Sequence, residues 1–202
     1  MNIGEELVGD YLQFIEGCEF VRKNLHTKDV QGEIDVVGIN IERKTVFLCE
    51  VAIHLATGLQ YVLNKRPNNI NKLTEKFSKD ILYARKYFPE KDGFNHRFML
   101  WTPIVKTPVN KTNKELQELT DIILGKPSKT QYNQSLDVET VQSNIRKKFN
   151  TDIELIINDV FLKKMEELRE YARSQTEELK SPVLRLYQIE EKLKKHVIGR
   201  LT

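Results

Sequence analysis

The chain has little cysteine, no long apolar run and no dominance of one charge, and each shortage excludes a class of protein. Cys18 and Cys49 are the only two cysteines in 202 residues, too few for a disulfide scaffold or a cysteine-based zinc site. Both are expected to be reduced thiols. No apolar stretch approaches the ~20 residues that span a bilayer as a helix. Met1-Asn2-Ile3-Gly4-Glu5-Glu6 has neither the basic nor the apolar region of a signal peptide, so a cytoplasmic protein with no membrane partner is expected. There is no P-loop, GxGxxG, GxSxG or HExxH motif. Lysine and arginine number 32 against 29 acids, a net charge of +3, which permits contact with a polyanion without indicating one.

The composition is otherwise that of a folded protein, 40% hydrophobic and 30% charged. Apolar residues at helical spacing predict a helix over 4–15, stopped at Gly17. A strand over 18–24 and a polar loop over 26–31 are expected next. The β-rich runs 33–39 and 45–53 are close enough in sequence to form an antiparallel hairpin. A polar link over 64–69 leads to a helix carried by Ile70, Leu73, Phe77, Ile81, Ala84 and Phe88. A buried strand at 96–101, a helix over 114–124, a polar loop over 125–135, a helix over 138–149 and a strand at 153–157 follow. Beyond residue 160 the composition turns to Leu, Glu, Lys and Arg, predicting two helices split at Ser181-Pro182, where serine caps and proline opens the second. The expected organisation is an α/β sandwich, α-β-β-β-α-β with helical additions, over residues 1–159, and a C-terminal helical hairpin extension over 160–202. That hairpin either packs on the core or serves as a homodimerisation arm.

Glu50 is the most informative residue. It stands inside the apolar run Val46-Phe47-Leu48-Cys49 and Val51-Ala52-Ile53, where a lone carboxylate is costly unless it is paired or metal-bound. Asp35 sits likewise between Ile34 and Val36. With the hairpin turn at Glu42-Arg43, Asp35 faces Glu50, with Cβ atoms ~4.5–5.5 Å apart. Two ionised carboxylates ~4 Å apart repel by ~4 kcal/mol even at an effective dielectric of 20. A divalent cation, Mg2+ or Mn2+, turns that repulsion into affinity. The alternative is that each acid pairs with its own lysine or arginine.

Gly4-Glu5 opening a helix, then Tyr11-Leu12, Asn24, Gly32-Glu33-Ile34-Asp35 and Val46-Phe47-Leu48-Cys49-Glu50-Val51, resembles the PD-(D/E)XK nuclease superfamily. The likeness is to its small bacterial resolvase-like and Mrr-like members and covers roughly the first third of the chain. It implies a restriction-endonuclease-like core, a mixed sheet flanked by helices, and a metal-dependent DNA endonuclease, with a setting in restriction, phage defence or repair. Asp35 and Glu50 match the carboxylates that hold magnesium, and Glu5 matches a helix-borne acid that often completes the site. Glu6 fits that role equally by position, and either acid is also favoured simply by a first helical turn.

The chain departs from the pattern at Ala52, where the (D/E)-X-K motif has a lysine that offsets charge in the transition state. His54, two residues further along the same expected strand face, is one replacement candidate as base or ligand; a polar residue at the strand exit is the alternative. Lys72 and Lys76 on the following helix are the others, since some members carry a relocated lysine there. The helical wheel turns both away from the apolar stripe, which predicts a solvated face. Gln60, beside Tyr61, resembles a glutamine found beyond the third motif in some members. Lys65, Arg66, Lys72, Lys76 and Lys79, with a loop at Asn68-Asn69, are positioned to track a phosphate backbone; the alternative is a soluble helix with interleaved acids Glu75 and Asp80. The competing functions are a degenerate member that binds DNA without cutting, for which Ala52 is the support, and an interaction protein working through its C-terminal helices.

Overall fold

The computed structural model describes residues 2–27, 32–107 and 133–198. Helix α1 spans Ile3–Asp10, with Asn2 as N-cap: its side-chain oxygen accepts from Gly4 N at 3.1 Å. The chain continues through a π-helical turn, Tyr11–Ile15, and stops at Gly17, whose φ of +65° suits glycine. Strands β1 (Phe20–His26), β2 (Glu33–Asn40) and β3 (Thr45–Val51) follow. The first strand begins and ends about two residues later than the sequence suggests, so His26 belongs to it rather than to a loop.

The hairpin register is the expected one. Val36 pairs with Cys49 and Gly38 with Phe47, and extending it one step sets Asp35 across from Glu50. The link expected over 64–69 is instead a small hairpin of β4 (Val62–Leu63) and β5 (Arg66–Pro67), turned by Asn64 and Lys65 at φ +50° and +62°. Helix α2 spans Asn69–Tyr87, β6 Asn95–Thr102, α3 Gln134–Phe149, β7 Ile153–Ile157, α4 Asn158–Ser174 and α5 Pro182–Ile198. The expected helix over 114–124 lies outside the described residues. Gln134 and Ser135, expected in a loop, open α3.

The five main strands form a mixed sheet in the order β1-β2-β3-β6-β7, antiparallel among β1, β2 and β3 and parallel among β3, β6 and β7. Strand β3 is central and buried along its whole length. Its side chains alternate: Phe47, Cys49 and Val51 pack toward α1, α4 and α5, while Val46 and Leu48 pack toward α2 and α3. Glu50 follows Val46 and Leu48 in that alternation, which places its carboxylate in the apolar layer beneath α2.

The C-terminal hairpin packs on the opposite layer. Phe161, Leu168, Ala172, Val183, Leu184 and Tyr187 share one buried cluster with Leu7, Val8, Tyr11 and Trp101. Tyr11 Oη donates to Glu167 at 2.8 Å, and Ser181 caps α5 while also bonding Asp10. No helix among the described residues is long and apolar enough to cross a membrane.

Candidate functional site

Three acids and two lysines meet beneath α2. Asp35 lies within β2, one residue before the β2–β3 pairing begins at Val36, and its Oδ2 accepts from the Val51 backbone N–H at 2.8 Å. That bond fixes the carboxylate against the end of β3. Glu50 is wholly buried. From α2, Lys76 Nζ stands 3.1 Å from both oxygens of Asp35 and donates to Glu50 Oε2. Lys79 Nζ lies 3.8 Å from Glu50 Oε1 and 3.7 Å from Asp80 Oδ1, and it donates to the Glu33 carbonyl. Asp80, also wholly buried, sets its carboxyl against that of Glu50.

The charges do not balance. Asp35, Glu50 and Asp80 supply three potential negatives against the two ammonium groups. Glu50 Oε1 and both oxygens of Asp80 have no hydrogen-bond donor. Ionised carboxylates only accept, and Lys79 Nζ, 3.8 Å from Glu50 Oε1 and 3.7 Å from Asp80 Oδ1, offsets their charge without a hydrogen bond, which leaves room at the Glu50–Asp80 contact for a shared proton or a further cation. Burial is the main cause that pushes Glu50 well above the usual carboxylate range, with Asp80 and Asp35 adding to it. Burial raises Asp80 too, against the pull of Lys79. Burial alone lowers Lys76, but Glu50 and Asp35 outweigh it and hold the amine protonated far above neutrality. Lys76 is therefore a fixed positive charge and not a general base at neutral pH. Tyr61, beside the cluster, is pushed up to about 12 by burial.

A cleft of about 740 Å3 lies beside the cluster, lined by His26, Glu33, Lys72, Lys76, Lys79 and Lys148 among others, while Asp35, Glu50 and Asp80 are not among its lining residues. Lys76 and Lys79 thus face the cleft and the buried acids at once.

The remaining expected residues fall elsewhere. Glu5 is held by the side-chain amides of Asn2 and Asn24, the latter at 2.7 Å, and Glu6 pairs with Lys23. Neither makes an ion pair with the cluster. His54 lies past the end of β3, so the strand alternation that aligned it with Glu50 does not reach it; its ring centroid is 6.1 Å from that of Tyr61. Lys72 does sit on the solvated face, 42% exposed and 3.6 Å from Glu75. Lys76 does not, because its long stem reaches back to the sheet. Lys79, expected on a phosphate-tracking surface, is buried against Glu50 and Asp80. Lys65 and Arg66 are exposed on the β4–β5 hairpin. Asn69 faces inward, accepting from Tyr61 N at 2.6 Å and donating to Leu59 O at 3.0 Å and Asp137 at 2.8 Å.

Asp80, expected from the sequence as an interleaved acid on a soluble helix, is instead wholly buried in the cluster. It follows Leu73 by seven and precedes Ala84 by four, spacings that set it inside the apolar stripe of α2, and an acid there was the available signal.

The donor chemistry at Asp35 and Glu50 fits a hard divalent cation: adjacent carboxylates, one with a buried oxygen that lacks a donor. Among the described residues, no group of three or more His, Cys, Asp or Glu side chains is arranged to hold a metal ion, so water and phosphate oxygens would have to complete the shell. No family model, curated protein or solved structure matches the chain.

Proposed function

We propose that the chain is a metal-dependent phosphodiesterase acting on DNA, built on the restriction-endonuclease-like pattern that its first third resembles. One observation carries the reading: Lys76 Nζ, 3.1 Å from both oxygens of Asp35 and bonded to Glu50, supplies from α2 the lysine that Ala52 removes from the motif. Two carboxylates and a lysine are the charged groups this chemistry needs, and here they come from three elements instead of two. The sequence of one helix, three strands, a helix and a strand is in keeping with such a core.

Asp35 and Glu50 would hold Mg2+ or Mn2+, which when bound supplies Lewis acidity toward a phosphoryl oxygen and a template for the attacking water. Lys76 offsets the negative charge that develops on the phosphate as the bond to water forms. Being held protonated, it acts by charge and not by taking a proton. Lys79 anchors Glu50 from the other side and ties it to the β2 backbone at Glu33. Lys72 and Lys148, at the cleft rim, bind the phosphate backbone without reading sequence.

The test is cleavage of supercoiled, linear and branched DNA with Mg2+ or Mn2+, comparing wild type with Asp35→Asn, Glu50→Gln and Lys76→Met. Metal-dependent cutting that is lost in all three is expected. Cutting that survives all three overturns this site assignment. DNA binding with metal but no cutting on any substrate favours a binding module in which Lys76 clamps the carboxylates shut.

A further inference from the structure

Helix α5 is apolar on two opposite sides. Its inner side, Val183, Leu184 and Tyr187, is buried against the core. Its outer side carries Leu186, Ile189, Leu193 and Val197, which are 63%, 48%, 57% and 54% exposed. At 3.6 residues per turn these four fall within an arc of about 80° on the side of the helix away from the core. The interior needs one apolar stripe, and a helix with a second one has a second neighbour. Scattered surface leucines require no explanation, but a continuous row along three turns does.

We infer that this neighbour is a second copy of the chain, packed antiparallel through α5 about a two-fold axis near Glu191 and Lys192. The row is symmetric about that point. Leu186 of one copy meets Val197 of the other, and Ile189 meets Leu193, so every contact occurs twice, as an isologous interface requires. The charges agree with the same register. Glu190 and Lys194 flank the row on one side and bond each other at 2.5 Å within a copy. In an antiparallel pair like flanks meet, which sets Glu190 of each copy beside Lys194 of the other and joins two local ion pairs into a four-charge network. The interface buries eight apolar side chains, four from each copy. It is independent of the carboxylate cluster and of the reaction proposed for it.

The experiment is sedimentation equilibrium of the full chain, with circular dichroism to verify that each variant is folded. Wild type is expected to sediment as a dimer and Leu193→Glu as a monomer. Glu190→Lys and Lys194→Glu, each alone, weaken the dimer several-fold by setting like charges across the axis. An equimolar mixture of those two variants recovers wild-type association, because the mixed pair again opposes two acids to two lysines. A wild type that stays monomeric at all concentrations overturns the proposal. So does a dimer that Leu193→Glu leaves intact, or a mixture no tighter than its components.

Discussion

On the side of the sheet away from α2, Arg97 forks onto Glu154 at 2.6 and 2.7 Å, reaches Glu16 at 3.0 Å and lies over the Phe47 ring at 4.9 Å. Arg43 approaches the same Glu16 at 3.5 Å. That cluster is partly exposed and balanced, two arginines against two glutamates. Beneath α2 the arrangement is the reverse: buried, with three acids to two lysines, and with carboxyl oxygens that lack donors. A cluster that only holds elements together has reason to be neutral and open to water, since burying unbalanced charge costs stability. On the proposed function, the excess acid under α2 is the charge that a bound divalent cation would compensate.

The largest effect that separates the two clusters is expected from removing their central cations. Lys76→Met leaves two buried carboxylates without their shared partner, and unfolding in denaturant should show a loss of ~3–5 kcal/mol. The proposed cleavage rate should fall by about 10²–10³ as well. Arg97→Met, at a site open to solvent, should cost only about 1 kcal/mol and leave cleavage unchanged. Equal losses of stability and activity in the two variants would erase the distinction.

Asp80→Asn sharpens the comparison in the opposite direction. Glu50 and Asp80 are both raised on folding, so their stabilising contribution is complete below the ordinary carboxylate range and is lost as pH rises through the folded values. For Asp80 that window runs from 3.8 to about 7. Melting temperatures across this range should fall for wild type and fall less for Asp80→Asn, whose amide can also donate to Glu50. A gain of about 1 kcal/mol at neutral pH is expected. A variant that melts lower, with an unchanged slope, would show that the surplus acid is not the source of the pH dependence.

The smallest effect belongs to the cleft rim. Lys72→Ala removes an exposed pair with Glu75 and should change stability by less than about 0.5 kcal/mol. Its DNA affinity should fall uniformly across sequences, with the salt slope reduced by about 1. Loss of preference for one sequence over another would instead make Lys72 a reader of bases.

Much of the frame under this site was legible in the residues. The apolar run around Glu50 marked a central strand, and the position of Glu42-Arg43 between two β-rich runs fixed the register that brings Asp35 alongside. Ser181-Pro182 marked the boundary of α5. Lys76 was misjudged because a helical wheel treats side chains as short radial spokes, whereas a lysine stem bends over the edge of a stripe. Asp80 reads as a solvated acid because it follows Lys79, and an adjacent pair of opposite charges resembles an ordinary surface helix. Only the partner strands show that α2 turns this pair toward Glu50. The π-helical turn at Tyr11–Ile15 and the left-handed turn at Asn64-Lys65 left no periodic signal. Periodicity in α5 picks out Leu186, Ile189, Leu193 and Val197 as the stripe that packs on the core, whereas the structure exposes these four and buries Val183, Leu184 and Tyr187, because both rows repeat at the same spacing.

Whether the unbalanced acids under α2 form a cation site is tested most directly by calorimetric titration of Mn2+ into the metal-free protein. Wild type is predicted to bind, with proton release if a proton is held between Glu50 and Asp80, and both Asp35→Asn and Glu50→Gln are predicted to abolish binding while remaining folded. Wild type that binds no metal, or variants that bind it as well as wild type does, would contradict the account and make the cluster a buried ion-pair network alone.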